Sequence, residues 1–261
     1  MPKICPLFSS SEGNSVYVSG SSGALLVDCG VSCKAILNSL NERGIDEGEI
    51  KGILITHSHT DHTRSLKSHA NRLNVPVFAT AQTVETLESQ GKLCVGVDVN
   101  VIDGVFDVAG IEVTPFETSH DAEGSVGYSF LMPDLTKISV CTDLGVVTDQ
   151  VRSAIKGSNA LLIESNHDLT MLKNGPYPPE LKIRIMGEKG HLSNVACAAE
   201  LPDLLESGTT RFILGHLSHH NNQPPIAKAC SESVLIGKGA RNGRDYLLSV
   251  APIKGGEMLY L

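Results

Sequence analysis

The sequence predicts a mixed α/β fold, and three observations carry that prediction. Short apolar runs with two-residue alternation recur along the chain. Several are followed by stretches of helical periodicity with recognisable caps. Histidine and aspartate then gather where those runs end, the usual placement for a site on a rigid scaffold. With 261 residues, 41% hydrophobic and 19% charged, the chain has an ordinary globular composition and length enough for one substantial core. It is read as a single domain, 1–261.

Residues 3–8 and 15–18 are expected strands, joined by the small-residue turn Ser9 to Asn14. A third strand, 24–28, ends at Asp28-Cys29-Gly30, which makes an antiparallel meander. Ser32 can cap a helix whose stripe Ala35, Ile36, Leu37 and Leu40 ends at Gly44. The apolar run Ile53-Leu54-Ile55 is a buried strand, followed by a helix over 64–73, a strand over 75–79 and a helix over 83–90. Beta texture returns at 101–102, 111–118, 126–131 and 138–141. A helix over 149–156 and a strand over 160–163 follow. The segment Asn174 to Pro179 reads as an irregular loop. Ser193-Asn194 caps a helix perturbed at Pro202, the strand 212–214 precedes His216, and a helix spans 226–236.

The stretch His57-Ser58-His59-Thr60-Asp61-His62 follows the Ile53 strand directly. In an extended exit from that strand, His57 and His59 point the same way. Asp61 and His62 approach from the turn into the next helix. Imidazole and carboxylate together suit Zn, Fe or Mn. Three imidazoles and a carboxylate exceed what one ion takes from so short a stretch, so two metals are expected. His120, Asp143 and His216 each end a predicted strand and are further ligand candidates. Taken singly, each would be a structural or surface residue. Cys141 reads as a buried strand thiol, not a soft ligand. His69 reads as a solvated residue on its helix.

His57-x-His59-x-Asp61-His62 resembles the signature of the metallo-β-lactamase-fold hydrolases. The neighbouring motifs resemble a YycJ/WalJ-type branch of DNA exonucleases related to tRNase Z. That resemblance runs from the N-terminal strands to His216 and implies a four-layer α/β/β/α sandwich. It implies that His57, His59 and His120 hold one metal, that Asp61, His62 and His216 hold the other, and that Asp143 bridges them. Zn is the expected ion, with Mn or Fe as alternatives. His59 stands where flavodiiron oxygen-reducing members carry Glu, which argues against a redox role.

Glu164, in Glu164-Ser165-Asn166-His167-Asp168, and His191, in Gly190-His191-Leu192-Ser193-Asn194, resemble the paired Glu and His of tRNase Z-like phosphodiesterases. The resemblance gives His191 the role of protonating the leaving oxygen and Glu164 that of orienting it, a sensible pairing because a carboxylate keeps imidazole protonated near neutral pH. Asp61 counts as catalytic as well as ligating. Asp28, Ser11, Asn14, Asn166, His167 and Asn221 are expected to touch substrate or orient ligands. His219 and His220 are rim residues. Family members read Gly-Ser-Ser-Gly-Asn in the first hairpin, where this chain has Ser10-Ser11-Glu12-Gly13-Asn14. Glu12 thus adds negative charge near an incoming phosphate.

The resulting expectation is a dinuclear phosphodiesterase acting on DNA, from the 5′ end by resemblance. Hydrolysis of a small phosphodiester, a thioester or a lactam is the enzymatic alternative, and a metal-binding sensor or scaffold the non-enzymatic one. A formal charge of −8 counts against an extended non-specific DNA surface. It does not exclude a nuclease, because two divalent ions would offset four charges where a phosphate must sit. Lys182, Arg184 and Lys189 are the basic residues before His191. Seven scattered cysteines form no disulfide or thiolate-zinc pattern, and with no apolar run of spanning length and no leader-like start, a cytoplasmic protein with no membrane association is expected.

Overall fold

The chain opens as an antiparallel meander of β1 (Lys3–Phe8), β2 (Ser15–Ser19) and β3 (Ala24–Val27). A computed structural model describes residues 1–93 and 95–261, so Cys94 lies outside the described residues. Helix α1 (Cys33–Asn41), capped by Ser32, and a 3₁₀ turn cross to β4 (Ile50–Leu54), parallel to β3. The short α2 (Thr60–Thr63), α3 (Leu66–Leu73), β5 (Val77–Ala79), α4 (Ala81–Ser89) and β6 (Val99–Val101) continue the parallel half.

The second half repeats that plan. Strands β7 (Phe106–Val108), β8 (Ile111–Glu117), β9 (Val126–Leu131) and β10 (Lys137–Cys141) form a meander. Helix α5 (Asp149–Ile155) crosses to β11 (Ala160–Glu164). Helices α6 (Leu169–Asn174), α7 (Pro179–Met186) and α8 (Asn194–Glu206) lead to β12 (Arg211–Gly215), and α9 (Pro224–Gly237) leads to β13 (Leu247–Val250). Finally β14 (Leu259–Tyr260) returns to pair with β1. The result is two seven-stranded mixed sheets, ordered β14-β1-β2-β3-β4-β5-β6 and β13-β12-β11-β10-β9-β8-β7.

Two-residue alternation divides the apolar side chains into three layers. Leu25 and Val27 of β3 meet Tyr128, Phe130 and Leu162 of the other sheet between the two sheets. Leu26 and Ile53 face outward onto Ile36 and Leu40 of α1 and Leu66 of α3. Leu161 and Ile163 face the opposite way onto Val151 of α5 and Leu201 of α8. Strands buried on both faces read as continuous apolar runs, as ALLV and ALLIE do. Three apolar layers between four structural ones make the α/β/β/α sandwich.

Some elements depart from the sequence expectation. The loop Gly175–Pro178 sits between two helices that periodicity missed, α6, capped by the Asp168 carboxylate, and α7, with proline in its first turn. Helix α8 continues through Pro202 to Glu206. His69 is fully buried on the inner face of α3, its Nδ1 3.0 Å from Ser65 Oγ, so it is a core histidine and not a solvated one. The last strands, β13 and β14, close an edge of each sheet. Among the described residues, no helix is long and apolar enough to cross a membrane. All six described cysteines are free thiols.

Three segments interlock beneath the metal motif. Asn14 N donates to Asp61 O (2.8 Å), Gly30 N to Asn14 O (2.8 Å) and Cys29 N to His62 O (2.7 Å). A Cβ at Gly30 would lie 1.6 Å from Asp61 O and 2.5 Å from Asn14 N. Gly30→Ala is therefore expected to cost roughly 1–3 kcal/mol, the usual penalty for overpacking. Urea denaturation checks it, and a wild-type midpoint would mean that these backbones do not pack so closely.

Candidate metal centre

The carboxyl ends of the parallel strands supply the site, where ligands gather in open α/β sheets. Asp28 follows β3, His57 and His59 follow β4, Asp143 follows β10, Glu164 ends β11 and His216 follows β12. His120 comes from the turn after β8. Asp28, Asp143 and His216 take left-handed backbone, with φ of 65°, 61° and 54°. Strained backbone in non-glycine residues concentrates where a side chain must be aimed.

Two groups of nitrogen and oxygen atoms converge. His57, His59 and His120 form one, and Asp61, His62 and His216 form the other. His57, His62 and Asp143 form a cluster that joins them, and Asp143, Glu164, His191 and His216 form a further one. His59 Nδ1 lies 3.3 Å from His120 Nε2, and the rings of His57 and His62 are 4.1 Å apart. Asp143 Oδ1 is 3.3 Å from His216 Nδ1, while its Oδ2 is 3.4 Å from His62 Nε2. All seven residues expected as ligands are thus brought together.

Four of the five imidazoles, all but His59, have one nitrogen engaged by a neighbour, which selects the other for the centre. His62 Nδ1 is 2.8 Å from Asp28 Oδ2, and Thr56 donates to that carboxylate from N and Oγ1, both at 2.9 Å. Thr56 Oγ1 is also 3.0 Å from His57 Nδ1. His120 Nδ1 is 3.2 Å from Gly190 O, and His216 Nδ1 is 2.6 Å from Glu164 Oε1. His57 Nε2, His216 Nε2 and Asp143 Oδ2 remain buried without a hydrogen-bond partner. Orphaned buried polar atoms converging on one space are what a bound cation requires. The nitrogen and oxygen donor set fits two divalent ions.

Glu164 is not available as a ligand. Its Oε1 takes His191 Nδ1 (2.9 Å) and His216 Nδ1, and its Oε2 accepts Leu144 N (3.1 Å) and Leu192 N (3.0 Å). These four bonds fill the acceptor capacity of a carboxylate. Cys141 is buried, and burial pushes its thiol well up, so it stays a neutral strand side chain.

Electrostatics divide the two groups. Burial pushes His57 well below the ordinary imidazole range, and nearby imidazoles push the same way; His59 and His120 are lowered by burial too. These three are neutral, with lone pairs free. Burial also opposes charge on His62 and His216, but the surrounding carboxylates outweigh it, and His216 is pushed up to about 10. Those imidazoliums in turn outweigh burial at Asp61 and Asp143 and hold both carboxyls below the usual range.

Several of the residues expected to support the centre lie beside it. Asn14 Nδ2 is 3.1 Å from His62 Nε2 and 3.5 Å from Asp61 Oδ2. Asn166 Nδ2 donates to His216 O (2.9 Å) and lines a cavity beside His191, as do Ser11, Glu12, His219 and His220. His167 is instead buried and pairs its backbone with Ser193 and Asn194. Asn221 is buried over Gly175, bonded to Ser218, and lines neither cavity at the site.

Sequence reasoning missed Thr56, Asp121 and the buried amides. Asp121 Oδ1 lies 3.6 Å from His59 Nε2 and its Oδ2 accepts Arg184 Nε at 2.5 Å. Asn194 and Asn222 bond each other, and Asn222 Nδ2 holds Ser165 O and Asn166 O. Thr56 and Asp121 adjoin ligands and were open to notice, whereas nothing local marks the asparagines.

Fold and site together define a metallo-β-lactamase-type protein. A model of the β-lactamase superfamily domain matches residues 24–217, and the chain belongs to that family. It is 37% identical over 237 residues to exodeoxyribonuclease YycJ of Bacillus anthracis, covering 89% of each chain. It is 34% identical over 231 residues to exodeoxyribonuclease WalJ of Streptococcus pneumoniae, covering 86% of this chain and 85% of that one. The fold is similar to that of the metallo-β-lactamase fold protein YhfI from Bacillus subtilis, with a TM-score of 0.74 at 13% identity over the whole of both chains. It is also similar to human tRNase Z, short form, with a TM-score of 0.63 at 15% identity over 99% of this chain and 98% of that one.

Because Glu164 orients His216 as well as His191, Glu164→Gln is expected to weaken metal binding about 10–100-fold, measured by chelator competition. Wild-type affinity would separate Glu164 from the centre. His216 has a raised pKa, so its ion-pair stabilisation of the metal-free protein is full below the ordinary imidazole value and is lost as pH rises through about 10. Metal uptake must expel that proton. Calorimetry in buffers of different ionisation enthalpy should record proton release, with affinity falling as pH drops from about 8 to about 6.

Proposed function

We propose that this chain is a dinuclear metal-dependent phosphodiesterase that degrades DNA from the 5′ end, built as one domain over 1–261. The relatives named exodeoxyribonuclease support DNA as substrate. The observation that carries the chemistry is Glu164 Oε1 held between His191 Nδ1 and His216 Nδ1. It places a protonatable histidine directly beside the candidate centre. In this assignment His57, His59 and His120 hold one ion, Asp61, His62 and His216 hold the other, and Asp143 is shared. Zn is the ion proposed, with Mn or Fe as alternatives.

Divalent ions bound there supply Lewis acidity, which lowers the pKa of water and neutralises charge on a phosphate. The remaining work falls to the chain. His191 engages Glu164 through Nδ1, leaving Nε2 for the substrate. Burial opposes its charge, but Glu164 outweighs burial and raises its pKa, which favours the protonated form an acid needs. It then gives that proton to the leaving oxygen. Asp61 keeps a partly exposed carboxylate at the mouth, placed to orient the attacking water. A thiolate leaving group needs no such acid, so thioester hydrolysis leaves the pair without a purpose. The acidic balance of −8 favours a small phosphodiester as the second reading. Metal-loaded protein offered end-labelled DNA and RNA, a small diester, a thioester and a lactam decides among these, and turnover of none would leave a sensor or scaffold.

His191→Ala should retain both metals and lose roughly 10²–10⁴ in rate on a diester with an alkoxide leaving group. On a nitrophenyl diester, whose leaving group departs without a proton, the loss should be much smaller. Equal losses with metals retained would remove His191 as the acid. Asp143→Ala should loosen both ions together, and metal analysis finding two tightly held ions would sink the shared-ligand assignment.

A further inference from the structure

Two cavities open over the cluster. The smaller, about 320 Å³, is lined by His191, Tyr177, His219, His220, Arg184 and Glu12, among others. The larger, about 610 Å³, opens on the His120 side, with Gln82, Gln150 and Lys189 in its wall. Asp121 lines both, so they share a wall beside His120 and His191.

We propose that the smaller cavity seats the single nucleotide whose 3′ oxygen leaves, with its base packed on the Tyr177–His220 pair. This rests on the phosphodiesterase reading above. Three observations carry it. His191 faces the smaller cavity and not the larger, so the group that receives its proton lies there. The volume is at the low end for small-molecule sites, the size of one nucleotide. The rings of Tyr177 and His220 both line this cavity and stand edge to face, 5.7 Å apart at 71°, an aromatic wall for a base to pack on. Tyr177 is framed by Pro176 and Pro178-Pro179, whose fixed backbone angles reduce the ordering that base binding would require.

The chemistry then fixes a direction. The oxygen of water forms a bond to phosphorus, the bond from phosphorus to O3′ breaks, and O3′ takes the proton from His191 Nε2. The departing piece carries a 3′-hydroxyl and the remaining strand a new 5′-phosphate. With room for one nucleotide on the departing side, that piece is the 5′-terminal nucleotide. Digestion from the 3′ end would require the rest of the strand to fit there instead.

The test uses metal-loaded protein and a single-stranded oligonucleotide labelled at its 3′ end. Removing the base of the 5′-terminal nucleotide should raise KM about 10-fold, the size of a stacking contact, and should add little in Tyr177→Ala. Calorimetry should find deoxyadenosine 5′-monophosphate bound about 10-fold more weakly by Tyr177→Ala, with Tyr177→Phe restoring it. Should Tyr177→Ala misfold by circular dichroism, the abasic substrate tests the wild-type protein alone. Bis(p-nitrophenyl) phosphate separates the two readings. Turnover of that diester with no KM change for the abasic end overturns the subsite alone, and release of the 3′ label as a mononucleotide at the first cut overturns it together with the 5′ polarity. Turnover of neither substrate overturns the phosphodiesterase reading and the subsite with it.

Discussion

Glu164 is wholly buried, and a buried carboxylate persists only when every lone pair is met. Its four partners come from different parts of the chain: Leu144 beyond β10, His191 and Leu192 before α8, and His216 beyond β12. One side chain therefore fixes the separation of three loops at the carboxyl edge of the second sheet. Asp28 plays the matching part in the first sheet, tying the exit of β3 to Thr56 and His62. The two sheets meet through the His62–Asp143 and Asp61–His216 contacts at the site and through the Leu25, Val27 and Leu162 layer between them.

The backbone strain at Asp28, Asp143 and His216 belongs to the same constraint. Left-handed φ costs an L-residue of order 1–2 kcal/mol, less for aspartate, whose side chain can bond locally. His216 has no such relief, and what holds it is the bond from its own N to Ser9 Oγ at 2.8 Å, reaching across to the first hairpin. The three apolar layers stabilise the fold well beyond these local costs. A residue that relaxed to ordinary β geometry would swing its ligand atom out of the cluster. Strain here is the consequence of aiming side chains from strand ends, not a reservoir used in turnover.

Much of the site was legible because its residues fall in short words after apolar runs. His57 to His62, His120, Asp143 and His216 each follow a predicted strand, and topology brings those ends together. What stayed hidden is what depends on long-range packing. His69 looked solvated because α3 is polar in sequence, yet Leu66, His69 and Ala70 share the face turned into the outer apolar layer. Helices α6 and α7 escaped notice because Gly175 and three prolines dominate the segment, although Asp168 and Pro179 are ordinary helix-start signals. The repeated plan of the two halves, each an antiparallel meander followed by parallel crossovers, leaves no sequence repeat because only strand order and handedness recur.

Net charge read from the sequence is a poor guide to what this surface attracts. Asp28, Asp61, Asp143 and Glu164 contribute half of the formal deficit of −8 and lie at the centre, where two divalent ions would cancel them. Without metal, His62 and His216 take over part of that role as imidazoliums. The same groups thus alternate between holding protons and holding cations, and the two imidazoliums offset half of the charge that two divalent ions would cancel. Beside the site, residues 173–189 carry Lys173, Lys182, Arg184 and Lys189 against Glu180 and Glu188, a locally positive stretch in an acidic chain. Of these only Arg184 lines the His191 cavity, where it is paired with Asp121 and faces Glu12 in the same wall. With the cavity wall itself offering no excess positive charge, attraction of an anionic substrate would come from the two ions alone, which favours end-on engagement of a short segment over sliding along a duplex.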